Sequence, residues 1–127
     1  MPRFVLLQHV GHPDDPACLH YDLLLEEANG CRTWRLAAIP VAGGQAVAAA
    51  PLPAHRLAWL EVLAAEVSGR RGFARRLDAG GYANEEARPA TPETSVTIRL
   101  EGDLLRGSLR FSSDAGWVAR LEPPAHP

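Results

Sequence analysis

Apolar and polar residues alternate along most of this chain with a period of two, the pattern of half-buried β-strands rather than helices. The clearest run is T-S-V-T-I-R-L-E at residues 94–101, with Val96, Ile98 and Leu100 on one face and Ser95, Thr97 and Arg99 on the other. After Gly102-Asp103, residues 104–111 set Leu105, Leu109 and Phe111 against Arg106, Ser108 and Arg110. This predicts a hairpin with a tight Gly-Asp turn. A second turn at 112–116 and a short strand at 116–121 carrying Trp117, Ala119 and Leu121 complete an antiparallel meander.

The N-terminal half reads the same way, with strands predicted at 3–9, 19–27 and 31–38. Asn29-Gly30 joins the last two as a type I′ turn, because both residues tolerate positive φ. Residues 40–53 form an Ala/Gly/Pro-rich connection, and 83–92 a loop rich in Glu, Ala and Pro. Neither is a domain linker, since each side is too small to fold alone. Residues 55–68, H-R-L-A-W-L-E-V-L-A-A-E-V-S, read either as a three-turn helix or as two short strands at 55–60 and 65–68. Many short strands with at most one helix predict one all-β domain over 1–127, a small barrel or sandwich, with a Pro-rich tail at 123–127.

At 127 residues the chain buries enough surface to fold without disulfide or metal. Cys18 and Cys31 lack metal-ligand spacing and read as reduced thiols of a cytoplasmic protein. No apolar run approaches the length of a membrane span, and residues 1–9 do not form a signal peptide. All 13 basic residues are arginine, and the net charge of -2 excludes polyanion binding by bulk charge. A local patch remains open: Arg70-Arg71 and Arg75-Arg76 are either a nucleic-acid contact or a solvated face.

Four of the five histidines, His9, His12, His20 and His55, lie in the first 55 residues. Within the second strand, His20 and Asp22 point to one face and Tyr21 to the other, toward the core. Imidazole and carboxylate side by side are two-thirds of a His₂-carboxylate metal site. His9, closing the first strand, is placed to complete it, with His12 a looser substitute in the following loop. Trp34 and Trp117 read as core or barrel-closing aromatics rather than base-stacking platforms.

Taken in order, these segments resemble the 3′-phosphoesterase domain of bacterial DNA ligase D, which trims 3′ ends in nonhomologous end joining. That family has a strand ending in histidine, then H-Y-D-F-R-L-E; here L-L-Q-H ends at His9 and H-Y-D-L-L-L-E runs from His20 to Glu26. Asn29-Gly30 and Arg32-Thr33-Trp34 match its turn and tryptophan strand, and His55 to Trp59 resembles its D-H-P-L-D-Y. Ser68 to Gly72 stands where the family has an acidic Gly-containing stretch, and A-R-R-L-D-A-G-G-Y resembles V-x-x-W-D-x-G-T-Y. The closing E-G-D-L-L-R-G-S-L-R-F resembles G-x-R-L-x-G-x-W-x-L, so the likeness covers essentially the whole chain.

The resemblance implies an antiparallel β-barrel of about six to eight strands with a crescent groove. It implies a divalent metal, manganese or zinc, on His9, His20 and Asp22, with His55 contacting or protonating the phosphoester. All four residues would be catalytic, with Trp59, Arg75 and Arg76 on the substrate. The implied partner is a nucleic-acid 3′ end or another phosphoester, with a DNA-repair protein as a further possibility and no membrane. The family is extended after His55, which favours strands there.

Two positions depart from the family. Its arginine two residues after the aspartate is Leu24, on the face of His20 and Asp22, and its tyrosine is Trp59. Leucine cannot imitate a bidentate guanidinium fork. Either Arg35, Arg75 or Arg76 has taken over, or phosphoesterase activity is weak or lost and the barrel binds nucleic acid or a protein. Leu24 either lies open in the groove or packs beneath the loop at 10–18.

Overall fold

Strands with one apolar face satisfy both that face and their backbone ladders when the sheet curls onto itself. The computed structural model has this all-β architecture and describes residues 1–12, 15–67, 72–85, 95–113 and 115–124, with the backbone alone at 12 and 15–18. The strands are β1 (Arg3–His12), β2 (Asp15–Glu27), β3 (Gly30–Leu36), β4 (Val47–His55), β5 (Ala64–Glu66), β6 (Phe73–Glu85), β7 (Ser95–Glu101), β8 (Arg106–Ser113) and β9 (Trp117–Glu122). All pair antiparallel in the order β1-β2-β3-β4-β9-β8-β7-β6, and β6 returns to β1, closing a barrel-like ring of eight strands. Strand β5 is a ninth, added to the edge of β6. No helix among the described residues is long and apolar enough to cross a membrane.

Two apolar clusters lie on opposite sides of the β1–β3 wall. The inner one fills the ring with Phe4, Leu6, Leu23, Leu25, Trp34, Leu36, Ile98, Leu100, Leu109 and Phe111 among others. Trp34 stacks on Phe111 at 4.0 Å and meets Trp117 edge-on at 5.1 Å, the core placement expected of both tryptophans. The outer cluster is small: Val5, Leu7, Leu24, Cys31 and Leu60, with Trp59 packed against it. A strap of residues 56–67 covers it, beginning with a 3₁₀ turn at Leu57–Glu61.

Several local expectations shift. Glu27 pairs with Gly30, so the β2–β3 turn is Ala28-Asn29, one residue earlier than read, and Gly30 opens β3 without positive φ. The β7–β8 turn is not the two-residue Gly-Asp loop but spans 102–105. The buried Asp78 carboxylate accepts hydrogen bonds there from the backbone N–H groups of Asp103, Leu104 and Leu105, at 3.0, 3.1 and 2.7 Å.

The presumed connection at 40–53 contains β4. Its Ala and Pro content gives little strand propensity, yet pairing with β3 holds it extended. Of the stretch read at 55–68, residues 55–67 are described and are neither a helix nor fully extended, because a single 3₁₀ turn suffices to drop Leu60 onto the outer cluster. In the loop read at 10–18, residues 10–12 and 15–18 extend β1 and β2, with His12 paired to Asp15. Strand β6 continues to Glu85, and the rest of the loop read at 83–92 lies outside the described residues, as do Arg70, Arg71 and His126.

Candidate metal and phosphoester site

Strand register assembles the polar cluster. His9 on β1 pairs directly with His20 on β2, and Asp22 follows two residues on, facing the same way opposite Leu7. All three are buried. His9 Nδ1 and His20 Nε2 lie 2.9 Å apart in a hydrogen bond whose donor depends on the tautomer. One ligand atom from each of the three residues lies within 4.8 Å of the others.

Ligand atoms on one ion with bonds of about 2.1 Å stand between about 3 and 4 Å apart. The histidine nitrogens stand at the short end of that range, and a cation would replace the hydrogen between them and draw the Asp22 carboxylate inward from Arg35. The residues fit the metal that the sequence resemblance implies.

His9 and Asp22 of the cluster help wall a cavity of about 320 Å³ on the outside of the barrel, lined also by Arg35, His55, Arg56 and Trp59 among others. Arg35 on β3 pairs with Asp22 across the strands, its Nε donating to Oδ1 at 3.0 Å and its Nη2 to Oδ2 at 3.4 Å. His55, ending β4, is held by its Nδ1, which lies 3.1 Å from Thr33 Oγ1 and 3.3 Å from the Pro53 carbonyl oxygen. The Thr33 hydroxyl donates its one hydrogen to the Cys31 carbonyl at 2.9 Å, so toward His55 it accepts. The Nδ1 of His55 therefore carries the proton, and Nε2 is the nitrogen left to take one up or give one back.

The strap roofs the cavity. Leu60 sinks into the outer cluster, and Arg76 Nη2 donates to the Leu60 carbonyl at 2.6 Å. Arg3 Nη1 reaches Glu61 at 2.6 Å while its Nη2 bonds Glu26 at 3.1 Å. The strap returns to β6 through Gly72, whose positive φ and contact with the Val10 carbonyl exclude a side chain.

The arginine expectations divide. A bulge in β6 between the Leu6 and Leu7 pairings leaves Leu77 without a partner and turns Arg76 and Ala74 to the outer face. Arg76 is spent on the strap, with its Nε buried and without a partner among the described residues. Arg75 points the other way, onto Gln8, and does not line the cavity. Neighbouring strand residues face opposite sides, so the two arginines expected on the substrate do not share a face.

Arg35 is the arginine brought to Asp22. Leu24 is fully buried in the outer cluster with Leu60, so it is not open to the groove, and the side chains at 12–18, expected as its alternative cover, lie outside the described residues. His9 meets His20, and the His12 side chain lies outside the described residues. Sequence reasoning missed Arg56 and Thr33. Arg56 could have been suspected as the neighbour of His55, whereas Thr33 carries no sequence signal beyond its alternation with Arg35. Among known protein-family models and curated proteins, none matches this chain.

Proposed function

We propose that the protein is a metal-dependent phosphoesterase of the cytoplasm, acting on a 3′-phosphate or 3′-ribonucleotide end of nucleic acid or on a related phosphoester. One observation carries this reading: two imidazoles and a carboxylate with metal-ligand spacing line or adjoin a cavity that also receives Arg35, Arg56 and His55. Two histidines and a carboxylate suit manganese or zinc. A divalent ion held there would supply the charge that polarises a phosphoryl oxygen.

Arg35 fixes the Asp22 carboxylate and presents its remaining N–H groups to an anion, and Arg56 adds a second positive charge. His55, with Nδ1 fixed as donor, exchanges the proton at Nε2. Trp59 supplies an apolar wall beside the phosphoester. Manganese titration should give one site per chain, with turnover of a 3′-phosphate-terminated duplex, and Asp22→Asn should abolish both. Absence of both from the wild-type protein would overturn the proposal.

A catalytically inactive barrel that binds nucleic acid or a DNA-repair protein is the second reading. The engagement of both Asp22 oxygens by Arg35 favours it, since the cluster is then balanced without a cation. Manganese binding without turnover would select it.

A further inference from the structure

Strand register sets one acid among cations on the outer face. Arg35 on β3 lies directly across from Asp22 on β2, and Thr33, two residues before it, faces the same way toward His55. Among the described residues that line the outer cavity, Asp22 is the one acid, against the guanidiniums of Arg35 and Arg56. With its imidazoles neutral, this wall is net positive before any metal binds, and a divalent cation makes it strongly so.

The two partners of the Asp22–Arg35 pair are unequally buried. The Asp22 side chain is 7% exposed and that of Arg35 is 32% exposed. A carboxylate so far from water needs a countercharge, because burying it alone is costly. Arg35 supplies one by donating to both oxygens, although the Nη2 contact at 3.4 Å is near the limit of a hydrogen bond. The same carboxylate offers an oxygen within 4.8 Å of the His9 and His20 ligand atoms, so a cation there would be a second countercharge for one acid. Arg35 can surrender Asp22 at modest cost, since its guanidinium already reaches the cavity and solvent. Asp22 cannot surrender Arg35 without a replacement.

We infer that Arg35 is a counter-ion switch: it neutralises Asp22 in the absence of a cation and turns to a tetrahedral dianion once a cation takes the carboxylate over, so that metal and anion bind cooperatively. The inference rests on the metal-site reading and adds the regulation of that site. Without metal, the anion must compete with Asp22 for Arg35; without the anion, the metal must compete with Arg35 for Asp22. Each ligand relieves the cost that the other meets, and the coupling is reciprocal by linkage. Arg56 forms no ion pair with a described residue, so it attracts the anion alike in both states and carries none of the exchange.

The test is calorimetric titration of the full chain with manganese, in sulfate and in chloride of equal ionic strength; sulfate is a tetrahedral dianion that is not turned over. Wild-type protein should bind manganese about tenfold more tightly in sulfate, and sulfate about tenfold more tightly with manganese. Arg35→Gln should bind manganese at least as tightly as wild type in chloride and should cut the sulfate effect to about twofold or less. Arg56→Gln should weaken sulfate binding with and without manganese alike, leaving the coupling intact. Independent binding in the wild type overturns the switch and leaves the metal site standing. So does coupling that survives Arg35→Gln, as direct contact between sulfate and metal would produce, or that is lost equally in both variants. No manganese binding in either salt overturns the metal site and the switch together.

Discussion

The two sides of the β1–β3 wall are built from the same strands to different ends. The inner side closes around aromatic and aliphatic residues contributed by nearly every strand. Its buried carboxylate, Asp78, is matched by three backbone donors. The outer side has a cluster of five buried apolar residues and, beside them, four buried polar ones: His9, His20, Asp22 and Thr33. The inner cluster alone supplies most of the apolar burial that folding needs. The outer cluster is only large enough to seat the strap and keep water from part of a polar cavity. Stability and chemistry are thus divided between faces of one sheet, and substitutions on the two faces should differ in what they disturb.

The largest effect tests whether the outer cluster is closed. Leu24 is fully buried there, and Leu24→Arg places a cation among Val5, Leu7, Cys31 and Leu60. The loss of leucine burial and the unpaired charge together should cost about 4 to 5 kcal/mol in denaturant unfolding, with no gain in phosphoester turnover. Wild-type stability with increased turnover would mean that the face is an open groove and the strap is not seated. Next come two chemically identical truncations. Leu109→Ala in the inner cluster should cost about 4 kcal/mol, and Leu60→Ala on the strap about 2, because a strap can settle into the space it leaves. Equal costs would break the distinction between the two clusters.

The period-two pattern located the meander strands to within a few residues because there one face is buried and the other wet. The same rule put His20 and Asp22 on one face and Tyr21 on the other. What the pattern could not show was burial on both sides. F-V-L-L at residues 4–7 and L-L-L at 23–25 break alternation, and such runs mark strands covered on both faces. Read that way, Leu24 belongs to a second cluster rather than to an open groove.

The bulge at Leu77 was also invisible, since it depends on register with β1, and it decides which of Arg75 and Arg76 faces the site. Strand β4 was hidden by its Ala and Pro content, because its extension comes from pairing with β3 rather than from local preference.

Arg35 sharpens the comparison on the outer face, where it has two opposed duties. Its guanidinium holds the Asp22 carboxylate, yet as a fixed positive charge it also opposes a cation at the same oxygens. Arg35→Gln should therefore weaken binding of a phosphoester analogue by about tenfold, the usual scale for a charge-assisted contact. In the same protein, manganese affinity should hold or rise. The side chain is about a third exposed, so its effect on unfolding free energy should stay near or below about 1 kcal/mol. A parallel loss of manganese and phosphoester binding would show that Arg35 serves only to orient Asp22.

The smallest effect concerns the tether between the faces. Arg3 binds Glu26 on β2 and Glu61 on the strap. The side-chain hydrogen bond from Arg3, more than any other contact, holds the Glu26 carboxyl below its ordinary range. A carboxyl lowered on folding stabilises the native state above its unfolded pKa, and that contribution drains away as the pH falls through the lowered native value. Through this pair the wild-type thermal midpoint should thus not vary with pH near neutrality, where the contribution is fully present, and should decline only on the acid side. Arg3→Gln returns Glu26 toward its ordinary pKa, so the share of the acid decline that Glu26 contributes should disappear, while the midpoint at pH 7 moves little for so exposed a pair. Glu61→Gln should leave that acid limb nearly intact, because Glu26 keeps its arginine, but should raise the rate at which protease cuts within 56–67. If Arg3→Gln leaves both the acid limb and strap cleavage unchanged, the tether contributes nothing, and Leu60 and Arg76 hold the strap without it.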